Sequence, residues 1–372
     1  MNDAWIADRM KSIEASGIRK AFDMSKAMKD PINLSIGLPD FDVAAPVKAA
    51  AIAAIEEGRN AYTVTQGIPE LRGKIQSAVD AEFGHSDRQV LVTSGTSGGL
   101  LLALCSVVNP GDEVIIFDPY FVMYGNLTYL AGGNPVYVDT YPDFRIDVEK
   151  VAAAMTSRTK CVIANSPGNP TGVVSSAEEM RKLAELCKSR EVLLISDEVY
   201  RAFCYDRPFA SPAKWNEDVL VVDGFSKAHG MTGWRLGFAH GPSRLIQEMA
   251  KLQQFSFVCA PSMVQYAGVV ALDQDLTARV DIYRRKRDAL AEALSGLFEL
   301  PSPEGAFYAF PKAPSGTATE FVAEAIKHNL LIIPGNVFSR RDSHFRISYA
   351  VDDVTLKRGL DVLRKISRTR TV

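Results

Sequence analysis

From residue 88 to residue 240, short apolar runs alternate with stretches of helical periodicity, and that alternation leaves few folds open. Runs at 89–93, 113–117, 135–138, 161–164, 192–195, 220–223 and 236–239 are of strand length. Two of these regions, Val192-Leu193-Leu194-Ile195 and Val219-Leu220-Val221-Val222, are apolar at every position, which fits strands covered on both faces. Residues 177–189 between two of the runs carry a helical pattern. An α/β fold is therefore expected, with a large domain built on a mostly parallel sheet of the seven-stranded type covered by helices. The tail differs. Residues 308–310 and 345–348 read as strands and 320–327 as a helix, so a smaller α+β domain is expected to follow. The large domain is placed at 46–275 and the small one at 276–372.

A chain of 372 residues with 47% hydrophobic content can bury two proper cores. With 42 basic and 44 acidic residues the net charge is −2, and no block of one sign stands out. Nucleic acid and anionic membranes are not expected as partners. No apolar run is long enough to span a bilayer, and the start Met1-Asn2-Asp3-Ala4-Trp5 lacks a signal-peptide pattern, so a cytoplasmic location is expected. Five cysteines are scattered singly without a C-x-x-C, which suggests free buried thiols. The five histidines show no ligand spacing, and no metal is assigned.

Ligands of open parallel sheets bind at the carboxyl ends of the strands. After the first run comes Thr93-Ser94-Gly95-Thr96-Ser97-Gly98-Gly99, small and hydroxyl residues ahead of an apolar helix. The segment is either an anion site at a helix start or an ordinary cap and turn. After the second comes Asp118-Pro119-Tyr120-Phe121, where an aromatic either stacks on a flat ligand or packs in the core. After the fourth, Asn165-Ser166-Pro167-Gly168-Asn169-Pro170-Thr171-Gly172 fixes an unusual backbone path. After the fifth, Asp197-Glu198-Val199-Tyr200 places a carboxylate at a buried strand end. Asp197 either caps a helix or needs a cationic partner, because burial of an unpaired charge is costly. Tyr200, three residues on, is expected one helical turn away on the same side. After Val219-Leu220-Val221-Val222 comes Gly224-Phe225-Ser226-Lys227, with Arg235 eight residues beyond the lysine. One cation that can lose its charge and one that cannot suit a cofactor with an aldehyde at one end and a phosphate at the other. Arg346 lies inside a strand-like run, where it either caps a surface edge or grips a carboxylate.

Taken together, in this order and spacing, these motifs resemble the class I/II aminotransferases of fold type I, which use pyridoxal 5'-phosphate (PLP). The resemblance runs from about residue 18 to residue 350. It implies that Lys227 holds PLP as an imine and that Arg235, Thr96, Ser97 and Gly98 hold its phosphate. It further implies that Phe121 stacks on the ring, that Asn169 and Tyr200 contact the ring oxygen and that Asp197 pairs with the ring nitrogen. Arg346, with Gly37 and Asn169, matches the site for the substrate α-carboxylate. Tyr62 matches a tyrosine that reaches the phosphate of the neighbouring subunit, which implies a homodimer with shared sites. Residues 1–45 are implied to pack with the small domain. One position departs from the family pattern: Gly224 stands where Ser or Thr is usual three residues before the lysine. Ser226 is a candidate replacement for the lost phosphate contact, and weaker PLP retention is expected.

The activity implied is transfer of an amino group from an L-amino acid to a 2-oxo acid, with Lys227 as general base and acid. A β-C–S lyase or related elimination enzyme of the same fold is the alternative, since it keeps the same cofactor residues. A ligand-sensing transcription factor is disfavoured because no helix-turn-helix or basic patch precedes the Gly37 motif. The apolar stretch 252–261 leans toward an apolar or aromatic amino donor, although interface packing explains it equally well.

Overall fold

The computed structural model describes residues 5–13, 17, 18, 26 and 28–368. The reading of Met1–Ala4 and much of the expected N-terminal packing segment fall outside them. Twelve strands are described: β1 (Ile32–Asn33), β2 (Arg88–Thr93), β3 (Glu113–Asp118), β4 (Asn134–Asp139), β5 (Thr159–Asn165), β6 (Leu193–Asp197), β7 (Leu220–Gly224), β8 (Gly237–Pro242), β9 (Tyr308–Ala309), β10 (Leu330–Leu331), β11 (Ile333–Pro334) and β12 (Phe345–Ser348).

Seven of them form the central sheet, in the order β2-β8-β7-β6-β5-β3-β4. Strand β8 is antiparallel to both neighbours and the other six share one direction. The apolar runs arise because both faces are covered. Ile116, Ile195 and Val222 pack on one face against Leu100, Leu104 and Met249. Their chain neighbours Ile115, Leu194 and Val221 pack on the other face against Met180, Leu183 and Cys187. The helix Ala177–Ser189 begins on a full capping box, in which Ser176 accepts from the Glu179 backbone N–H and the Glu179 carboxylate accepts from the Ser176 backbone N–H. Short crossovers of this kind bring the carboxyl ends of β2, β3, β5, β6 and β7 to one rim. On that rim Asn165 and Asp197 are register partners.

A second, smaller group of strands faces the rim. β9, β12 and β11 form an antiparallel sheet, with Ser348 opposite Tyr308 and Ile333 opposite Arg346. β1 pairs in parallel with β10, and the Ser348 amide donates to the Leu34 carbonyl at 2.8 Å. Residues 32–34 are thereby tied to the C-terminal strands. An aromatic core including Tyr283, Phe307, Phe321 and Phe345 backs this group.

Two expectations need correction. Tyr200 is reached by a tight turn and not by a helix: the Arg201 amide bonds to the Glu198 carbonyl and the Phe203 amide to the Tyr200 carbonyl, each at 2.8 Å. The cysteines are free but only Cys161 and Cys187 are buried; Cys105 is exposed, and Cys204 and Cys259 are half-buried. Among the described residues no helix is long and apolar enough to cross a membrane, and no group of three metal-binding side chains occurs.

Candidate functional site

The rim of the central sheet and the smaller strand group enclose a cavity of about 710 Å³. Eleven of the thirteen candidate residues line it. From the central sheet come Thr96, Ser97, Phe121, Asn169, Asp197, Tyr200, Ser226, Lys227 and Arg235. Gly37 and Arg346 come from the opposite side. Gly98 is buried within the helix Gly95–Val107 but is not on the wall. Tyr62 is 84% exposed and does not line the cavity of its own chain.

Asp197 ends β6 and is 3% exposed. The Tyr124 hydroxyl donates to its Oδ2 at 2.7 Å and the Val199 amide to its Oδ1 at 3.3 Å. Burial still dominates and pushes its pKa up to about 6. Tyr124 was missed in the sequence because its partner lies 73 residues away and the local string gives no sign of the contact. Asn165 supports the same corner. Its Nδ2 donates to the Asp197 carbonyl at 3.0 Å and its Oδ1 accepts from the Asn169 amide at 2.9 Å.

Lys227 follows β7, and its Nζ donates to the Gly37 carbonyl at 2.8 Å. Burial depresses its pKa to about 8, and the cations Arg346 and Arg235 act in the same direction. Asp197 opposes them more weakly. An amine in this state is largely available as a neutral nucleophile and base at mildly alkaline pH.

Arg346, on β12, is 1% exposed. Its guanidinium lies between the rings of Phe338 and Tyr308, with Cζ 4.5 and 4.7 Å from their centroids. Nη1 donates to Asn169 Oδ1 at 2.9 Å and Nη2 to the Ser35 carbonyl at 2.7 Å, while Nε has no partner. Among the described residues no carboxylate pairs with it within 4.0 Å. A buried guanidinium held only by neutral acceptors is poised for an anion. Because Asn169 spends its oxygen on Arg346, its amide N–H₂ remains the donor it can offer a ligand.

At the other end, the helix Gly95–Val107 starts at the cavity wall. Thr96 Oγ1 is buried without a hydrogen-bond partner. Arg235 has left-handed backbone (φ 57°), and its Nη2 lies 3.5 Å from Ser97 Oγ. A helix N-terminus, a guanidinium and an unsatisfied hydroxyl make a fitting cradle for a phosphate. A flat ring between this cradle and Arg346 would meet Phe121 and the Asp197 carboxylate, so the residues present fit PLP. The structure also gives a reason for Gly224. A Cβ there would stand 2.7 Å from Thr96 Oγ1 and 3.1 Å from Gly237 Cα and the Leu236 carbonyl. The Thr96 side chain fills the space a residue 224 side chain would need.

The chain was compared with known proteins. The family model "Aminotransferase class I and II" matches residues 29–363. The "probable aspartate aminotransferase" of Methanocaldococcus jannaschii is 36% identical, over 97% of this chain and 99% of its own. The "aromatic-amino-acid aminotransferase 2" of Thermococcus litoralis is 32% identical, over 98% and 99%. A solved structure of Thermus thermophilus aspartate aminotransferase with maleate superposes with a TM-score of 0.92 at 33% identity, covering 97% of this chain and 99% of that one.

Two outcomes are expected. In the apoprotein, the reaction of Lys227 with an amine-directed acylating reagent, followed site by site by mass spectrometry, rises with pH and is half-maximal near the Lys227 pKa of about 8. A profile centred near the ordinary lysine value of 10.5 contradicts the assigned environment. Gly224→Ser crowds Thr96 and lowers apoprotein stability by about 1–3 kcal/mol in denaturant unfolding; unchanged or higher stability contradicts the packing.

Proposed function

The chain belongs to the class I and II aminotransferases, PLP enzymes, and on that premise we propose how its own residues carry an amino group from an L-amino acid to a 2-oxo acid. When bound, PLP supplies an electron-accepting ring that stabilises negative charge at the substrate α-carbon. Thr96, Ser97, Gly98, Ser226 and Arg235 hold its phosphate, and Phe121 stacks on the ring. Asp197 keeps the ring nitrogen protonated; the raised carboxylate pKa marks a charge that gains most from such a partner. Tyr200 and Asn169 donate to the ring oxygen. Arg346, with Asn169 and Gly37 beside it, takes the substrate α-carboxylate and so fixes the α-carbon over the ring. Lys227 would hold PLP through its amine and, when displaced by substrate, would serve as base and acid for the substrate α-proton, a role its depressed pKa suits.

The observation that carries this reading is the pair of unmatched buried charges, Asp197 and Arg346, on one cavity with a neutralisable lysine. A ligand that is cationic at its ring and anionic at its carboxylate satisfies both.

The cavity is otherwise lined largely by apolar side chains, among them Ile13, Ile18, Ile36, Leu38, Val122 and Met123. The three cations among the described lining residues already have assignments. An apolar or aromatic amino donor fits better than a dicarboxylic one, and glutamate with 2-oxoglutarate is the default exchange pair by family resemblance. A homodimer in the cytoplasm completes the reading. Tyr62, Val64 and Phe255 are 84%, 55% and 83% exposed. The bond from Gln253 Nε2 to the Thr65 carbonyl at 2.6 Å ties their two segments together. A second copy seated on this patch would bring Tyr62 to the neighbouring phosphate site.

Mixing the PLP-loaded protein with single amino acids in the absence of an oxo acid tests the reading. Stoichiometric loss of the visible absorbance, with formation of the 2-oxo acid, is expected, and Lys227→Ala abolishes both absorbance and turnover. Continuous ammonia release would instead indicate elimination. Phenylalanine or leucine should convert at least about tenfold faster than aspartate, as one or two apolar contacts provide; the reverse order overturns the side-chain assignment while leaving amino transfer intact.

A further inference from the structure

Tyr308 stands where the parts of the cavity meet. It is 1% exposed, and β9 holds it opposite Ser348. Its hydroxyl oxygen is 2.8 Å from that of Tyr200. Its ring lies against the Arg346 guanidinium. The same hydroxyl closes on the loop from the N-terminal side: a Cβ at Gly37 would stand 2.1 Å from Tyr308 Oη. Gly37 does not have a left-handed φ, so it is this contact and not its backbone angle that requires glycine. The Gly37 carbonyl in turn accepts from Lys227 Nζ.

We propose that Tyr308 is a positioning residue that sets the direction of the Tyr200 hydroxyl, with the Gly37 loop closed against its own hydroxyl. The proposal rests on the reading in which Tyr200 donates to the cofactor's ring oxygen. A phenol has one proton to give. With the Tyr200 proton committed to the ring oxygen, the short contact between the two phenols is satisfied only if Tyr308 donates to Tyr200. Arg346 acts on both phenols, but it lies against the Tyr308 ring and is there the leading influence after burial, which favours Tyr308 as the donor. A hydroxyl that accepts one bond donates a stronger one. Tyr308 therefore strengthens the Tyr200 bond to the ring oxygen and lowers the pH at which the cofactor–lysine chromophore loses its proton. Without Tyr308, the Tyr200 proton is free to turn away from the ring.

The test is a pH titration of the visible absorbance in PLP-loaded wild type, Tyr308→Phe, Tyr200→Phe and the double variant, with thermal melting to verify folding. Tyr308→Phe should raise the midpoint by about half a pH unit or more. In the Tyr200→Phe background, the Tyr308→Phe change should leave the midpoint where it was, because the two act through one bond. An unchanged midpoint in Tyr308→Phe, or an equal further shift in the double variant, overturns the proposal. Gly37→Ala gives an independent arm. It pushes the Tyr308 hydroxyl aside and should raise the midpoint in wild type but not in Tyr308→Phe; an equal rise in both backgrounds also overturns it. Absence of the visible band in the wild type overturns the proposed function and this inference together, whereas a band that ignores Tyr308 overturns the inference alone.

Discussion

The desolvated carboxylate of Asp197 sets the terms for the rest of the site. It ends a central strand between two other buried strands, and helices cover both faces of that sheet. Asp197 is only 3% exposed, and one phenol and one amide are its hydrogen-bond donors. Two neutral donors do not offset the loss of hydration, and burial keeps the carboxyl pKa high. A cation placed against it regains that energy. Arg346 is in the complementary position, a buried guanidinium on β12 with neutral acceptors only. These two charges do not pair with each other, because one is fixed to the central sheet and the other to the smaller strand group. The fold holds them apart, and the cavity between them suits a ligand with one charge for each.

Lys227 owes its depressed pKa first to burial, and the same separation adds to it. Arg346 and Arg235 flank it with positive charge while Asp197 is too weak an influence to restore an ordinary lysine pKa. Moving Arg346 onto Asp197 would weaken the positive field that adds to burial in lowering the Lys227 pKa, and would also fill the cavity. Arg235, Asp197 and Arg346, which the proposed function sets against a phosphate, a ring nitrogen and a substrate carboxylate, therefore form one electrostatic arrangement. Its rigidity comes from neutral crosslinks: Asn165 between two strand ends, Asn169 between a loop and Arg346, and Tyr308 between Tyr200 and the Gly37 loop.

Much of this was legible in the sequence because burial on both faces leaves an apolar signature. Val219-Leu220-Val221-Val222 reads as a covered strand since Val221 and Val222 face opposite cores. The helix 177–189 was readable from its periodicity, and its start is that of the structure because Ser176 and Glu179 close a capping box. The site residues at strand ends were legible through their motifs. What escaped is what depends on contacts across the chain. Tyr124 and Tyr308 meet Asp197 and Tyr200 over separations of 73 and 108 residues, and each looks locally like an ordinary core aromatic. Gly224 looked like a missing phosphate ligand, and only its distance to Thr96 shows that the space is taken. Cys105 looked buried because its helix is apolar on most sides, yet it falls on the exposed face.

The central claim is that the buried Asp197 carboxylate is matched by a proton on the cofactor's ring nitrogen. Nitrogen NMR of the protein loaded with PLP labelled at that atom measures it directly. At neutral pH the wild type should show a protonated ring nitrogen, and Asp197→Asn an unprotonated one. An unprotonated nitrogen in the wild type, or a signal indifferent to the substitution, would contradict the account.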